Sequence, residues 1–387
     1  MTDAMKRNGF DQTELGEVLN FFNGKAIKPG GDGEYAAFGS NGLIGRSPGY
    51  THEDGIIIGR VGAYCGSIAY CGGRFWASDN TIVAKPKQAI DDIRYFSYLL
   101  RDLKLNGYAG GAAQPLVTHT VLKRVPALVA LPKIQKQIAA ILSAYDDLID
   151  NNTRRIQILE RMAQALYREW FVSFRFPGHA KVKLVESPLG KIPQGWEVKQ
   201  LKDVANVTYG FPFQSNKFNT TGVGTPVIRI RNILDGSTDT LTDEKAEPKY
   251  HIKNGDILVG MDGDFHMCIW SSGHALQNQR VAKFESSGEI GNYHLFLALE
   301  LPIQTWNKSI VGTTVAHLGD MHIKTIQFAW PPATLLTEAR NILEPMSDQI
   351  ITLKRKNANL RRTRDLLLPK LISGDLDVSK LDLETGK

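Results

Sequence analysis

Apolar positions along the chain follow two rhythms, and each rhythm occurs twice. Up to residue 132, glycine-bounded β-branched runs such as GIIIG at Gly55 and TIVAK at Thr81 predict short strands between turns. Within that region IRYFSYLLRDL, from Ile93, changes to helical periodicity, so the domain mixes helix and strand. After Leu131-Pro132 glycine disappears and helix formers dominate for about 40 residues. The strand rhythm then restarts in 196–332 with PVIRIRNI and DILVG, includes the helical stretch NYHLFLALEL, and yields again to helix formers after Pro331-Pro332. A small twisted sheet with packed helices, followed by a long helix, is predicted in each half.

The halves form one long repeat. Leu15-Gly16-Glu17-Val18 is echoed by Leu201-Lys202-Asp203-Val204, and GIIIGRVG by GDILVGMDG. Farther on, Ile141-Leu142 matches Ile342-Leu343, Leu166 matches Leu367 and Phe171 matches Ile372.

Each long helix carries a heptad seam. The first runs Leu142, Tyr145, Ile149, Asn152, Ile156, Leu159, Ala163, Leu166, and the second Leu343, Met346, Ile350, Leu353, Asn357, Leu360, Arg364, Leu367. Two matched seams in one chain predict an intramolecular antiparallel coiled coil. Full overlap pairs Leu142 with Leu367 and Ile156 with Leu353, which sets Asn152 opposite Asn357. Facing asparagines exchange amide hydrogen bonds, whereas an asparagine facing leucine is left unsatisfied, so this pair fixes the register. The Arg364 layer falls against Tyr145, where a guanidinium can lie on the ring. Between the halves, 173–195 is rich in proline, glycine and lysine, with four basic residues against one acidic, and reads as a surface connector.

Composition narrows the functional classes. At 387 residues the chain exceeds the ~250–300 at which single cores stop growing. Apolar residues at 42% and charged residues at 22% exclude general disorder. No run approaches the ~18 apolar residues of a membrane span, and MTDAMKRNGFDQTEL lacks a hydrophobic signal segment, so a cytoplasmic protein without a membrane role is expected. Cys65, Cys71 and Cys268 form no paired spacing for a disulfide framework or structural zinc. A net charge of +6 permits a polyanionic partner without naming one, and 196–332 is itself net acidic.

Common catalytic signatures are absent: there is no G-x-S-x-G elbow, phosphate loop or H-E-x-x-H helix. Gly31-Asp32-Gly33 lies in a turn-like PGGDGEY stretch and reads as a loop. Asp262, Asp264 and His266 would share one face of a strand and could hold a divalent metal, which leaves a metal-dependent nuclease as an alternative. The competing reading makes GMDGDF a turn whose aspartates cap backbone groups or accept from cytosine amino groups, and no metal is expected.

Polar residues suited to base edges recur at matching places. The first half offers Ser40, Asn41, Arg46, Arg60, Asp79 and Asn80, and the second Arg229, Arg231, Asn232, Asn278, Gln279 and Arg280. Arginine bonds bidentately to guanine and Asn or Gln to adenine, although the same residue types also form turns and phosphate contacts.

Taken together, YAAFGSNGLIGRSPGY, GRVGAYCGSIAY with FWASDNTIV, the ALPKIQKQIAAILSAYDDLIDNNTRRIQILERMAQALYREWFVSF helix, the GKIPQGWEVKQLKDVA restart, GDILVGMDGDF with NQRVAK, and RRTRDLLLPKLISGDLDV resemble the specificity subunit of type I restriction-modification systems over essentially the whole chain. The resemblance implies an α+β chain of two small α/β target recognition domains separated by an intramolecular antiparallel two-helix coiled coil. The expected boundaries are domain 1 at 1–132, helix 1 at 133–172, linker at 173–195, domain 2 at 196–332, and helix 2 with the C-terminal tail at 333–387.

It further implies a non-catalytic DNA reader of a bipartite asymmetric site, directing adenine-N6 methylation and restriction by others. The partners are double-stranded DNA, two methyltransferase subunits and restriction/translocase subunits; a type IIB-like system is the alternative setting. No cofactor is expected in this chain, S-adenosylmethionine, ATP and Mg²⁺ belonging to the partners. Just beyond the first coil, Arg168, Trp170, Phe171 and Phe174 form an aromatic cluster that is a candidate for the methyltransferase interface, with burial against the chain's own domains as the alternative. The seam from 142 to 166 spans about 37 Å at ~1.5 Å per residue, near the ~34–36 Å between half-sites one turn apart.

Overall fold

The computed structural model describes residues 9–28, 30–110, 115–288, 290–309 and 317–381. The final six residues of the expected tail lie outside the described residues. The chain forms two compact units, 1–149 with 360–387, and 150–359, so the division falls inside both long helices.

The first unit is built on a six-stranded sheet, ordered Leu19–Asn23, Thr81–Pro86, His52–Gly59, Ile68–Ala77, Tyr35–Gly39 and Gly42–Ser47. Ile56, Ile57 and Ile58 are all buried, as a central strand covered on both faces requires. Ile57 faces Val83 on one neighbour and Ala69 on the other, and the single parallel pairing sets Ala36 beside Phe75. Helix Ile93–Asp102 begins where Asp92 accepts a hydrogen bond from the Tyr95 amide at 3.0 Å, and it buries Tyr95, Phe96, Leu99 and Leu100. Phe10–Glu14 pairs with Pro126–Ala130 just before the first long helix, Pro132–Tyr167. The core also takes in Ile134, Ile138 and Leu142 from that helix and Leu371, Ile372 and Val378 from the chain's C-terminal region.

The second unit repeats this plan in two smaller sheets. Ala205–Tyr209, Val281–Ser286, Ile257–Gly260 and Met267–Ile269 form one, and Leu241–Thr242, Thr225–Ile228, Ala275–Gln277 and His251–Ile252 the other. Where the first unit runs one strand, Ile68–Ala77, the second breaks it between Ile269 and Ala275. Trp270 closes the break with an indole N–H donated to the Gly273 carbonyl at 2.7 Å. The parallel pairing survives as Val227 beside Leu276. A close approach is repeated too: a Cβ on Gly24 would lie 1.8 Å from the Ser78 carbonyl oxygen, and one on Gly210 1.9 Å from that of Asn278.

The helix seam is present in both units. In the second unit Ile156, Leu353, Ile350, Ala163 and Leu343 are buried in one cluster, with Leu159, Leu166 and Met346 packed against it. Asn152 Nδ2 donates to Asn357 Oδ1 at 2.9 Å. In the first unit Leu142 and Leu367 share a core. The Arg364 layer differs from the expectation: its guanidinium pairs with Asp146 at 2.5 Å. A carboxylate one position along the helix outcompetes the Tyr145 ring because a charge-assisted hydrogen bond is stronger than a partly solvated ring contact.

The connector is less superficial than its composition suggests. Leu184–Ser187 and Gly190–Pro193 form a hairpin, and Phe176 and Ile192 are buried beside Trp196.

Candidate nucleic-acid interface

Both units bring three loops to one end of the sheet on the same backbone frame. In the first, the Arg60 amide donates to the Asn80 carbonyl at 2.9 Å, the Val117 amide to the Arg60 carbonyl at 3.0 Å, and the Ser78 amide to the Phe38 carbonyl at 2.9 Å. In the second, Met261 donates to Arg280 at 3.0 Å, Leu318 to Met261 at 2.7 Å, and Asn278 to Ile228 at 3.1 Å. The repeat therefore aligns Arg60 with Met261, Asn80 with Arg280 and Asp79 with Gln279. Equivalent backbone positions carry different side chains, which is what two readers of unlike sequences require.

In the first unit this edge gathers Ser40, Asn41, Arg60, Asp79 and Asn80, with Asn41, Asp79 and Asn80 exposed. Arg60 has a buried Nε without a hydrogen-bond partner. Burial, and next the nearby Arg60 charge, hold the His119 imidazole below its ordinary range.

In the second unit the same edge opens into a cleft of about 690 Å³. Arg229, Arg231 and Arg280 line it with Asn278 and Gln279. Asp262, Asp264 and Asp235 stand opposite in charge around the same space. A mixed lining suits base edges, which present donors and acceptors, better than phosphates, which reward a purely basic surface.

Several expected readers prove to be occupied. Arg46 lies away from this edge, donating from Nε to the Gly33 carbonyl at 2.6 Å and from its fork to Glu34, so it staples the Gly30–Glu34 loop. The Ser40 hydroxyl donates to the Asn80 carbonyl at 2.6 Å and holds the loops together. Asn232 is buried and accepts from the Arg229 amide at 3.0 Å, capping helix Ile230–Asp235. Arg229 donates to Thr240 and lies 5.5 Å from the Phe218 ring centre, and burial lowers its basicity, aided by Arg231. These contacts share a cause: short polar residues and arginine at turns readily engage backbone carbonyls and amides of their own loops.

The Asp262, Asp264 and His266 group also departs from the strand reading. The strand ends at Gly260, and the three residues occupy the loop before Met267. Asp262 is taken by His317, Nδ1 to Oδ1 at 2.6 Å, and by Arg280 Nε at 3.4 Å from Oδ2. Among the described residues no three His, Cys, Asp or Glu side chains are arranged to hold a metal ion. His317 is the residue that the sequence pattern did not single out; it sits 55 positions from its partner and reaches it through an isolated backbone bridge.

The aromatic group after the first long helix turns inward. Phe171 is buried against the His294 ring, 4.5 Å between centres, and Phe174 meets Trp196 edge-on at 5.3 Å. Trp170 is half-buried beside Phe171, and Arg168 is exposed. A π-helical turn over Arg168–Val172 delivers these side chains.

A family model described as type I restriction modification DNA specificity domain matches the chain twice, over 8–161 and 193–362, and the chain belongs to that family. It is 27% identical over 309 residues to the type I restriction enzyme MjaIX specificity subunit of Methanocaldococcus jannaschii, covering 74% of this chain and 70% of that protein. It is 33% identical over 204 residues to the EcoBI specificity subunit of Escherichia coli, covering 51% of this chain and 42% of that protein. The fold matches the crystal structure of a type I restriction-modification S subunit from M. genitalium with TM-score 0.66 at 17% identity, covering 95% of this chain and 98% of that one.

Proposed function

We propose that the chain is the DNA-reading subunit of a type I restriction-modification complex, each unit reading one half of a bipartite, asymmetric site. The observation that carries this is the duplicated sheet edge, held by three matching backbone hydrogen bonds and different in side chains. In this reading the chain performs no chemistry. Two methyltransferase subunits methylate adenine N6, restriction/translocase subunits cleave, and S-adenosylmethionine, ATP and Mg²⁺ belong to those partners. Target adenines must leave the base stack to react, so the reader's task is to place the methyltransferase over them.

Selection from a random duplex library by the chain assembled with its methyltransferase subunits tests the reading. Enrichment of two short sequences separated by a fixed unspecified gap is the expected outcome. Enrichment of a single uninterrupted sequence, or none, contradicts it.

A further inference from the structure

The Asp262 carboxylate, in the cleft, is approached from both sides. Its Oδ1 receives His317 Nδ1 at 2.6 Å, and its Oδ2 faces Arg280 Nε at 3.4 Å. The three side chains differ in exposure, 27% for Asp262, 45% for His317 and 55% for Arg280, so the carboxylate sits deepest and the guanidinium reaches outward. A carboxylate only accepts hydrogen bonds, with two acceptor positions on each oxygen, so Oδ1 keeps one beside the His317 hydrogen bond, and Oδ2, in an ion-pair contact with Arg280, also has acceptor capacity to spare. Arg280 turns Nε to Asp262, which leaves its terminal amines to an outside acceptor pair.

This places an acceptor and a two-pronged donor side by side on one base-reading edge. Among the four base-pair orientations, a cytosine amino group beside guanine O6 and N7 matches that order; adenine with thymine offers no adjacent acceptor pair for the fork. The equivalent bridge in the first unit joins Val61 to Leu116, two apolar residues, so the arrangement belongs to the second unit alone.

Resting on the reading of the chain as a DNA-specificity subunit, we propose that Asp262 and Arg280 together recognise one C·G pair in the half-site bound by the second unit. Asp262 accepts from the cytosine amino group and Arg280 donates to the guanine. His317 is a positioning residue: it touches no base and holds the carboxylate at the angle that the cytosine requires.

The test uses the assembled complex of this chain with its methyltransferase subunits, selecting from a random duplex library. Wild type is expected to fix a C·G pair in one half of its motif. Asp262→Asn and Arg280→Ala lower the preference at that position about tenfold or more, the discrimination that one good bidentate base contact provides, with the other half unchanged. His317→Ala lowers it less, and His317→Asn, whose amide N–H stands near Nδ1, restores it; a merely structural histidine would not be rescued in base preference. Arg280→Ala lies at an exposed position and keeps the test valid if an Asp262 variant fails to fold. A motif with no C·G pair in either half, unchanged preferences in Arg280→Ala, or equal losses in both halves would overturn the inference and leave the DNA reader standing. Selection of no sequence by wild type would overturn the underlying reading itself.

Discussion

The Asn152 side chain donates to Asn357 Oδ1 at 2.9 Å, and Asn357 in turn donates to Thr153 Oγ1 at 3.2 Å. Both asparagines are buried, at 8% and 3% exposure, in a stretch of the seam whose neighbouring layers are apolar, Ile156, Ile350 and Leu353 among them. A polar layer of this kind costs stability and specifies register, because any slip sets an amide against hydrocarbon.

Asn152→Leu should therefore destabilise the chain by about 1–3 kcal/mol, the cost of stranding a buried amide. The Asn152→Leu, Asn357→Leu double variant should recover most of that loss, since both polar groups leave together. Urea midpoints read both; a double variant as unstable as the sum of the singles would contradict the pairing.

Asp146 joins the two long helices within the first unit. It accepts from Arg364 at 2.5 Å and from the Tyr98 hydroxyl at 2.6 Å, with Arg101 at 3.7 Å. Burial raises the Tyr98 hydroxyl's pKa well above its ordinary value, and the Asp146 carboxylate adds to the shift. Asp146→Ala removes the shared acceptor of a half-buried group, and a loss of about 1–3 kcal/mol is expected in the same urea assay. Asp146→Asn should lose less, because its carbonyl still accepts.

Stability should depend on pH through His294. Burial pushes its imidazole down to about 4, and Nδ1 has no hydrogen-bond partner. An unfolded histidine titrates near ~6.5, so below that pH the unfolded chain binds a proton that the folded chain refuses. This contribution is intact above pH ~6.5 and declines as pH falls toward 4, by up to ~1.4 kcal/mol per pH unit. His294→Phe should be less acid-sensitive than wild type between pH 7.5 and 5 by urea midpoint; parallel slopes would contradict the assignment.

Arg46 and Asn41 lie in the same predicted motif but should behave differently. Arg46→Ala frees the Gly30–Glu34 loop and should lower thermal stability by the ~1 kcal/mol of typical intramolecular hydrogen bonds while leaving the selected DNA sequence unchanged. Asn41→Ala, at the exposed sheet edge, should leave stability within about 0.5 kcal/mol and relax base preference in one half of the site. Melting curves beside library selection separate the two.

The sequence was most legible where a period repeats over many residues. The heptad seams placed Asn152 opposite Asn357 because coiled-coil geometry converts spacing directly into neighbours. Strand runs such as Gly55–Gly59 and the helix at Ile93 were legible for the same reason. The Arg364 layer was not, since a flexible guanidinium selects among acceptors one residue apart. Nor was the role of Arg46, Ser40 or Asn232, because base-reading side chains are also those that cap helices and staple turns. His317 was invisible because its partnership with Asp262 depends on a bridge between distant loops. For Phe171 and Phe174 the sequence left partner contact and self-burial both open, because the choice depends on Trp196 and His294, which no local pattern connects to them.

The most direct measurement is a genome-wide map of N6-methyladenine in a host lacking other such enzymes, with this chain co-expressed with its methyltransferase subunits. Methylation confined to one asymmetric, two-part motif with a fixed gap is the predicted result. With the complex intact, adenine methylation that follows no motif, or one that stays the same when 196–332 is exchanged for that region of another family member, would contradict the account.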